Sequence, residues 1–136
     1  MRHLCVDFGT VRIGIAISDS DGRVAMPLCQ FRNEGDGKAA QRVAELATEN
    51  RTEIVVVGLP LNMDGSEGRA ARRVGHFTAR LRRLLEIPVV TEDERLSTTA
   101  AIDALDGAFK GAARAERLDA VAAQMILQKR LDAARG

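Results

Sequence analysis

The spacing of apolar residues changes partway along the chain, and this change limits the folds open to it. Up to Phe31, three short apolar runs are separated by turn-forming residues, which predicts β-strands over 4–8, 13–17 and 24–31. Tight turns at 9–10 and at Asp21-Gly22 would join these strands into an antiparallel meander.

From residue 37 onward, segments with helical spacing alternate with short β-branched runs. Three antiparallel strands followed by this alternation predict an α/β fold, in which helices flank a mixed five-stranded sheet in the RNase H-like arrangement. The predicted helices cover 37–50, a segment starting near Ser66, 98–106 and 118–131, and the later strands cover 53–57, ended by Gly58, and 87–91.

Length and composition bound the class of protein. With 136 residues, 46% of them hydrophobic, the chain can bury one core, so we expect a single domain over 1–136. No apolar run approaches the roughly 20 residues that span a bilayer, and the N-terminus lacks a signal-peptide pattern, which predicts a cytoplasmic protein without a membrane partner. Cys5 and Cys29 lie outside any Cys-x-x-Cys pair, which argues against a zinc site or disulfide framework.

Positive charge is concentrated in one segment although the formal net charge is only +1. Aromatic residues make up 3% of the chain, too few for a platform that stacks single-stranded bases, so nucleic acid would have to be held through its phosphates. The basic segment contains Arg69, Arg72, Arg73, Arg80, Arg82 and Arg83.

Three acids occupy positions from which they could meet at one end of the predicted sheet. Asp7 closes the first strand, Glu94 follows the fifth, and Asp119 begins the predicted last helix. Converging carboxylates are what two-metal phosphodiester hydrolysis requires. Any one of these acids could instead be a cap or surface acid; in particular, Asp119 could favour the helix dipole from the first turn, and Glu94 could pair with Arg95.

The segment 58–68 combines a strand end, a Gly-rich loop and a helix start. Free backbone N–H groups at such a helix start could bind a phosphate. The alternative is an ordinary turn in which Asp64 or Ser66 caps the helix.

Four segments in order along the chain, 7–19, 58–68, 93–98 and 118–128, resemble the signature segments of the YqgF/RuvX family. The resemblance implies the RNase H-like fold, with Asp7, Glu94 and Asp119 as catalytic acids that hold Mg²⁺ or Mn²⁺ in a two-metal site. It also implies a nuclease that matures the 5′ end of pre-16S rRNA, or a Holliday junction resolvase. Val11 stands where lysine is common in the family, and the expected loop 107–116 is poor in basic residues.

We therefore expect nucleic acid as the partner, either pre-rRNA or branched DNA. Two other functions stay open: an ATPase of the actin-like type, for which one domain is too small, and a non-catalytic nucleic-acid-binding module. Each predicted helix has one apolar stripe that the core should use, which predicts a monomer or weak homodimer. The predicted nucleic-acid-binding residues are Arg12, Asn62, Ser66, Arg69, Arg73, Arg80 and Arg95.

Overall fold

A mixed five-stranded sheet forms the centre of the molecule. The computed structural model describes residues 1–94 and 111–134. The sheet order is β3-β2-β1-β4-β5, in which β1, β2 and β3 are antiparallel and β1, β4 and β5 are parallel. This confirms the predicted RNase H-like fold. The elements are β1 (His3–Phe8), β2 (Arg12–Ser18), β3 (Ala25–Arg32), α1 (Asp36–Glu49), β4 (Ile54–Leu59), α2 (Arg69–Leu84), β5 (Val89–Asp93) and α3 (Gly111–Ala134).

Side chains of the central strand alternate between the two covered faces of the sheet. Leu4 and Val6 are buried in a cluster formed with α1 and α2, whereas Cys5 is buried in a second cluster formed with α3. Because alternate residues of a strand share a face, Asp7 lies on the α3 face and Phe8 on the opposite one. Phe8 meets Phe77 of α2 edge to face, with ring centroids 4.4 Å apart.

Asn33, just after β3, holds the turn that follows Asp7. Its backbone N–H donates to the Val11 carbonyl at 2.8 Å, and its side-chain amide donates to the Gly9 carbonyl at 2.8 Å. Within the turn, the Gly9 N–H donates to the Arg12 carbonyl at 3.0 Å. The connection between β1 and β2 is therefore fixed from the neighbouring strand.

Two glutamines fix α3 against the start of β3. The Gln128 side-chain oxygen accepts a hydrogen bond from the Ala25 N–H at 2.8 Å, and the Gln124 amide donates to the Ala25 carbonyl at 3.1 Å. These bonds set the rotation of α3 and so decide which of its residues face the sheet. Within the described ranges, no helix is both long and apolar enough to cross a membrane.

The predicted ends of the fourth and fifth strands are wrong. β4 continues through Gly58 to Leu59, where these residues pair with Glu92 and Asp93 of β5. The parallel ladder continues because β5 runs to Asp93, and a glycine weakens a strand without ending it.

Two predicted helix starts are also wrong. α2 begins at Arg69, and its N-cap is Gly68, with no side-chain hydrogen bond to the cap. Asp64 and Ser66 are therefore not its caps. α3 begins at Gly111, because the alanine-rich stretch after this glycine favours helix, so residues 111–116 are not loop. Asp119 consequently lies well beyond the first turn, where a helix-dipole role does not apply. The helix predicted over 98–106 lies outside the described residues.

Candidate functional site

Asp7 lies beside a glycine of the neighbouring strand, on the face of the sheet that α3 covers. It pairs directly with Gly14 of β2. A β-carbon on Gly14 would collide with the backbone carbonyl of Asp119, so α3 packs directly on this glycine. The close approach brings Asp119 beside Asp7.

Glu94 reaches the same face from the other side of β1. Its backbone N–H donates to the Leu59 carbonyl at 3.2 Å, which fixes it at the end of β5. Its carboxylate oxygen Oε2 lies 2.5 Å from the place where a β-carbon of Gly58 would be. Gly58 follows Val57, which pairs with Val6, so the Glu94 side chain lies over the strand next to Asp7.

Burial makes all three carboxyls easier to protonate than ordinary ones, and repulsion by neighbouring acids adds to this effect at Asp7 and Glu94. Burial, and then the nearby charge of Asp119, raise the pKa of Asp7 to about 6. Burial, followed by the charges of Asp7 and Asp93, raises the pKa of Glu94 to about 7. Burial also raises the pKa of Asp119, against the opposing effect of the Arg12 guanidinium. The three predicted acids therefore form one electrostatically coupled site.

The Asp119 carboxylate oxygen Oδ2 is buried and receives no hydrogen bond from the described part of the chain. A buried charged oxygen in this state is costly unless a cation or a proton compensates it. Carboxylate oxygens are ligands that Mg²⁺ and Mn²⁺ prefer, so the donor set fits such an ion. Among residues 1–94 and 119–134, however, no three Asp, Glu, His or Cys side chains already stand close enough to ligate one ion.

The predicted phosphate loop is held in shape by its own side chains. The Ser66 hydroxyl donates to the Asp64 carboxylate at 2.6 Å, and the Asn62 amide donates to the Ser66 hydroxyl at 3.0 Å. These bonds occupy Ser66 within the loop, while the N-terminus of α2 is left without a side-chain cap. Asn62 and Ser66 thus shape the loop and remain exposed on it.

A cavity of about 270 Å³ lies between this helix start and the turn after β1. Arg69 and Arg73 line it together with Thr10 and Pro60. Arg80 instead lines a different cavity beside Gly37 of α1. The predicted arginine face therefore divides between two places, while Arg95 lies outside the described residues.

The family model of RuvX, described as a Holliday junction resolvase, matches residues 1–133 of the chain. The chain belongs to the RuvX family. A Fusobacterium nucleatum subsp. nucleatum relative named "Putative pre-16S rRNA nuclease" is 40% identical, covering 96% of each chain. A Myxococcus xanthus protein of the same name is 43% identical, covering 99% of this chain and 90% of its own.

Among solved structures, RuvC of T. thermophilus in complex with a Holliday junction substrate matches with a TM-score of 0.64. The match covers 100% of this chain and 96% of that one at 18% sequence identity. At this identity the likeness concerns the fold, and it agrees with the RNase H-like arrangement of the sheet. Family membership confirms the resemblance found in the sequence.

Several residues that build this RuvX-family site were not predicted from the sequence. Gly14 and Gly58 give α3 and Glu94 room to approach, and Asn33 fixes the turn after Asp7. A glycine inside a strand often marks a place where another backbone approaches closely, so Gly14 within its apolar run is a local indication of this contact. The role of Asn33 depends on a contact between distant parts of the sequence, and nothing local indicates it. Arg82 of the basic segment donates from Nε and Nη2 to the Val89 carbonyl, at 3.1 and 2.9 Å, and so ties α2 to β5.

Proposed function

We propose that this RuvX-family chain is a cytoplasmic, metal-dependent nuclease that matures the 5′ end of pre-16S rRNA. The observation that carries the proposal is the coupling of Asp7, Glu94 and Asp119 on one face of the sheet, where burial raises all three pKa values and repulsion by neighbouring acids further raises those of Asp7 and Glu94. A bound divalent cation would offset both the burial of the ionised carboxylates and the repulsion between them.

In the proposed mechanism, Asp7, Glu94 and Asp119 would hold Mg²⁺ or Mn²⁺. The bound ions would activate a water molecule and stabilise the leaving oxygen. Asp7 is carried by a strand that is hydrogen-bonded on both sides, so its position is rigid. Asp119 belongs to α3, and Glu94 follows the last residue of β5, so each acid comes from a separate element.

The chain's own cations would position the substrate. Arg69 and Arg73 line the cavity at the start of α2, next to the turn that follows β1. Together with the uncapped N–H groups of that helix, they offer donors for successive phosphates. Arg12 lies on the other side of Asp7, and its charge reaches Asp119. A nucleic-acid strand bound to both groups would run along the end of the sheet that carries the acids.

Cleavage of Holliday junctions is the second candidate, because the family model carries that description. A resolvase makes paired cuts, which calls for a two-fold dimer with two sites. The edge strand β3 exposes Met26 and Leu28, at 45% and 36% of their surface, and a weak dimer could form there. A stable interface buries roughly 800 Å² on each partner, which is more surface than these two side chains offer. We therefore favour a monomer or weak homodimer that cleaves RNA.

The test compares a precursor RNA that contains the 16S 5′ end with a four-way DNA junction, at one salt and one Mg²⁺ or Mn²⁺ concentration. We expect a cut in the RNA that EDTA abolishes, together with a sedimentation coefficient close to that of a monomer at micromolar concentration. Paired symmetric cuts in the junction by a tight dimer, with the RNA intact, would favour the resolvase. Binding without any cleavage would favour a non-catalytic module, and ATP hydrolysis without nuclease activity would favour an ATPase.

A further inference from the structure

Two arginines lie side by side on neighbouring strands, at the end of the sheet that carries the acids. Arg12, the first residue of β2, pairs directly with Arg32, the last residue of β3. Residues paired directly in antiparallel strands point to the same face with closely spaced β-carbons, and like charges there are destabilising. The fold therefore accepts an unfavourable pair at this position.

No acid within the described residues forms an ion pair with either arginine, although the charge of Arg12 reaches Asp119. Both side chains are exposed, and neither forms an ion pair with residues 1–94 or 119–134. Glu34, two residues beyond Arg32, is not within ion-pair distance of it in this part of the chain. The charge at this corner of the sheet is thus available to an external anion.

The pair also lies on the same face as the catalytic candidates. Ile13 and Ile15 point into the cluster with α1 and α2, so Arg12 and Gly14 point to the α3 face, where Asp7 lies. Gln30 pairs with Gly14 and so shares that face. Arg12, Arg32 and Gln30 line one cavity of about 360 Å³. An anion bound there would meet two guanidinium groups and an amide.

We propose that Arg12, Arg32 and Gln30 form a phosphate-binding site for the strand that is cleaved, on the β3 side of the acids. The inference rests on the proposed nuclease function and adds Arg32 and Gln30 to the substrate-binding residues. Neighbouring strands are about 4.8 Å apart, so Arg12 and Arg32 belong to strands about 5 and 10 Å from β1. This spacing corresponds to phosphates within a few nucleotides of the one over Asp7. Guanidinium forks match phosphate oxygens, and two of them side by side suit a phosphodiester.

The experiment measures binding of a single-stranded RNA of about 20 nucleotides in EDTA, so that nothing is cleaved, over a range of salt concentrations. For single strands, the slope of log affinity against log salt is negative, and each lost phosphate contact reduces its steepness by about 0.7. We expect this loss for Arg32→Ala and about twice the loss for the Arg12→Ala, Arg32→Ala double variant. Arg23→Ala is the matched control, because Arg23 is exposed at the opposite end of the same hairpin, and its slope should equal that of the wild type.

A neutral-linkage scan locates the contact. Replacing single phosphates of the RNA with methylphosphonates should weaken wild-type binding at one or two positions on one side of the cleavage site. The same replacements should not weaken RNA binding by the Arg32→Ala variant any further. Because Arg32→Ala also removes a like-charge pair, its Tm at low salt should equal or exceed that of the wild type. Arg32→Gln, which keeps the polar surface, should show the same loss of slope if the alanine variant folds poorly.

An unchanged salt slope in Arg32→Ala and Arg32→Gln would overturn the inference. It would also be overturned if these variants lost as much affinity for polyglutamate as for RNA, because the site would then be a general polyanion-binding surface. Cleavage in Mg²⁺ separates this outcome from failure of the proposed function. If the wild type cleaves RNA but the slopes are unchanged, only the Arg12–Arg32 site is wrong. If the wild type never cleaves but the slope falls in the variants, the site is correct and the nuclease assignment is wrong.

Discussion

The backbone carbonyl of Asp119 packs against Gly14 so closely that no β-carbon fits on this glycine. Gly14 is also the direct partner of Asp7 in the sheet. One glycine therefore sets the approach of α3 to β1 and, with it, the approach of two acids from opposite ends of the sequence.

Gly14→Ala should displace α3 from the sheet. Because the new methyl group would meet backbone rather than the end of a flexible side chain, α3 must shift as a whole, and we expect a loss of roughly 2–4 kcal/mol in the free energy of unfolding. Gly75→Ala is the control, since a β-carbon on this helical glycine of α2 meets nothing within 4 Å. That variant should be more stable than the wild type by up to about 1 kcal/mol, measured by urea denaturation. Equal stability of Gly14→Ala and wild type would contradict the packing of α3 on Gly14.

Gly58→Ala should separate catalysis from folding more cleanly. Its β-carbon would lie 2.5 Å from the Glu94 Oε2, which can rotate away, and 3.0 Å from the Ile126 side chain. We expect a smaller loss of stability than for Gly14→Ala, together with a fall in cleavage rate on the order of 10-fold or more because Glu94 is displaced. Cleavage at the wild-type rate would show that the position of Glu94 over Gly58 does not matter to activity.

The metal-free protein should become more stable as the pH falls from 8 to 5. The pKa of Asp7 is raised to about 6 and that of Glu94 to about 7 in the folded state, above their ordinary values. The folded state therefore binds these protons more tightly than the unfolded state, and protonation adds stability as the pH drops through the folded pKa values toward the ordinary ones. For Asp7 the shift corresponds to about 1–3 kcal/mol.

Asp7→Asn provides the check on this pH dependence. Tm measured in EDTA should rise less steeply toward low pH in this variant, and at pH 8 it should equal or exceed the wild-type value. Adding Mg²⁺ should raise the wild-type Tm most at high pH, where the carboxylates are ionised. A wild-type Tm that falls steadily from pH 8 to 5, with Asp7→Asn behaving identically, would contradict the burial of an ionised Asp7.

The arginines of α2 should differ in their contribution to RNA binding. Arg69 and Arg73 line the cavity beside the β1–β2 turn, so replacing either by alanine should make the salt dependence of binding less steep by about 0.7. Arg80 lies beside Gly37 in another cavity, and Arg80→Ala tests whether the predicted arginine track extends that far. We expect a smaller change for it. Unchanged slopes in all three variants would make this helix face a solvated surface only.

Local sequence patterns predicted the kind and order of the elements in the described ranges better than their ends. The period of apolar residues indicated each strand of the sheet, because burial on one or both faces leaves a direct imprint on the sequence. The end of β4 was missed because Gly58 stays in the ladder through its partner Glu92, a pairing between distant residues. The start of α3 does not follow from Gly111, which is typical of a break, because the alanine-rich run after this glycine favours helix more strongly.

In the candidate site, too, the residue types can be predicted from local sequence, whereas their closeness depends on contacts between distant residues. Asp7 and Glu94 are predicted from strand ends, Asp119 from a helix start, and all three from the family resemblance; in the structure they lie close enough for the charge of Asp119 to act on Asp7 and that of Asp7 on Glu94. Their closeness depends on Gly14 and Gly58, whose role appears only once β2, α3 and β5 are assembled. The simple interpretation of Asp119 as a helix-dipole acid failed because it assumed a helix start that the structure places at Gly111.

A crystal soaked in Mn²⁺ tests the central claim most directly, because the anomalous signal of manganese locates each ion independently of the protein model. We predict two peaks about 3.5 to 4 Å apart, ligated by Asp7, Glu94 and Asp119, and the loss of at least one peak in Asp7→Asn. Manganese bound elsewhere, or none at these carboxylates in a preparation that cleaves RNA, would contradict the assignment of Asp7, Glu94 and Asp119 as the metal-binding acids.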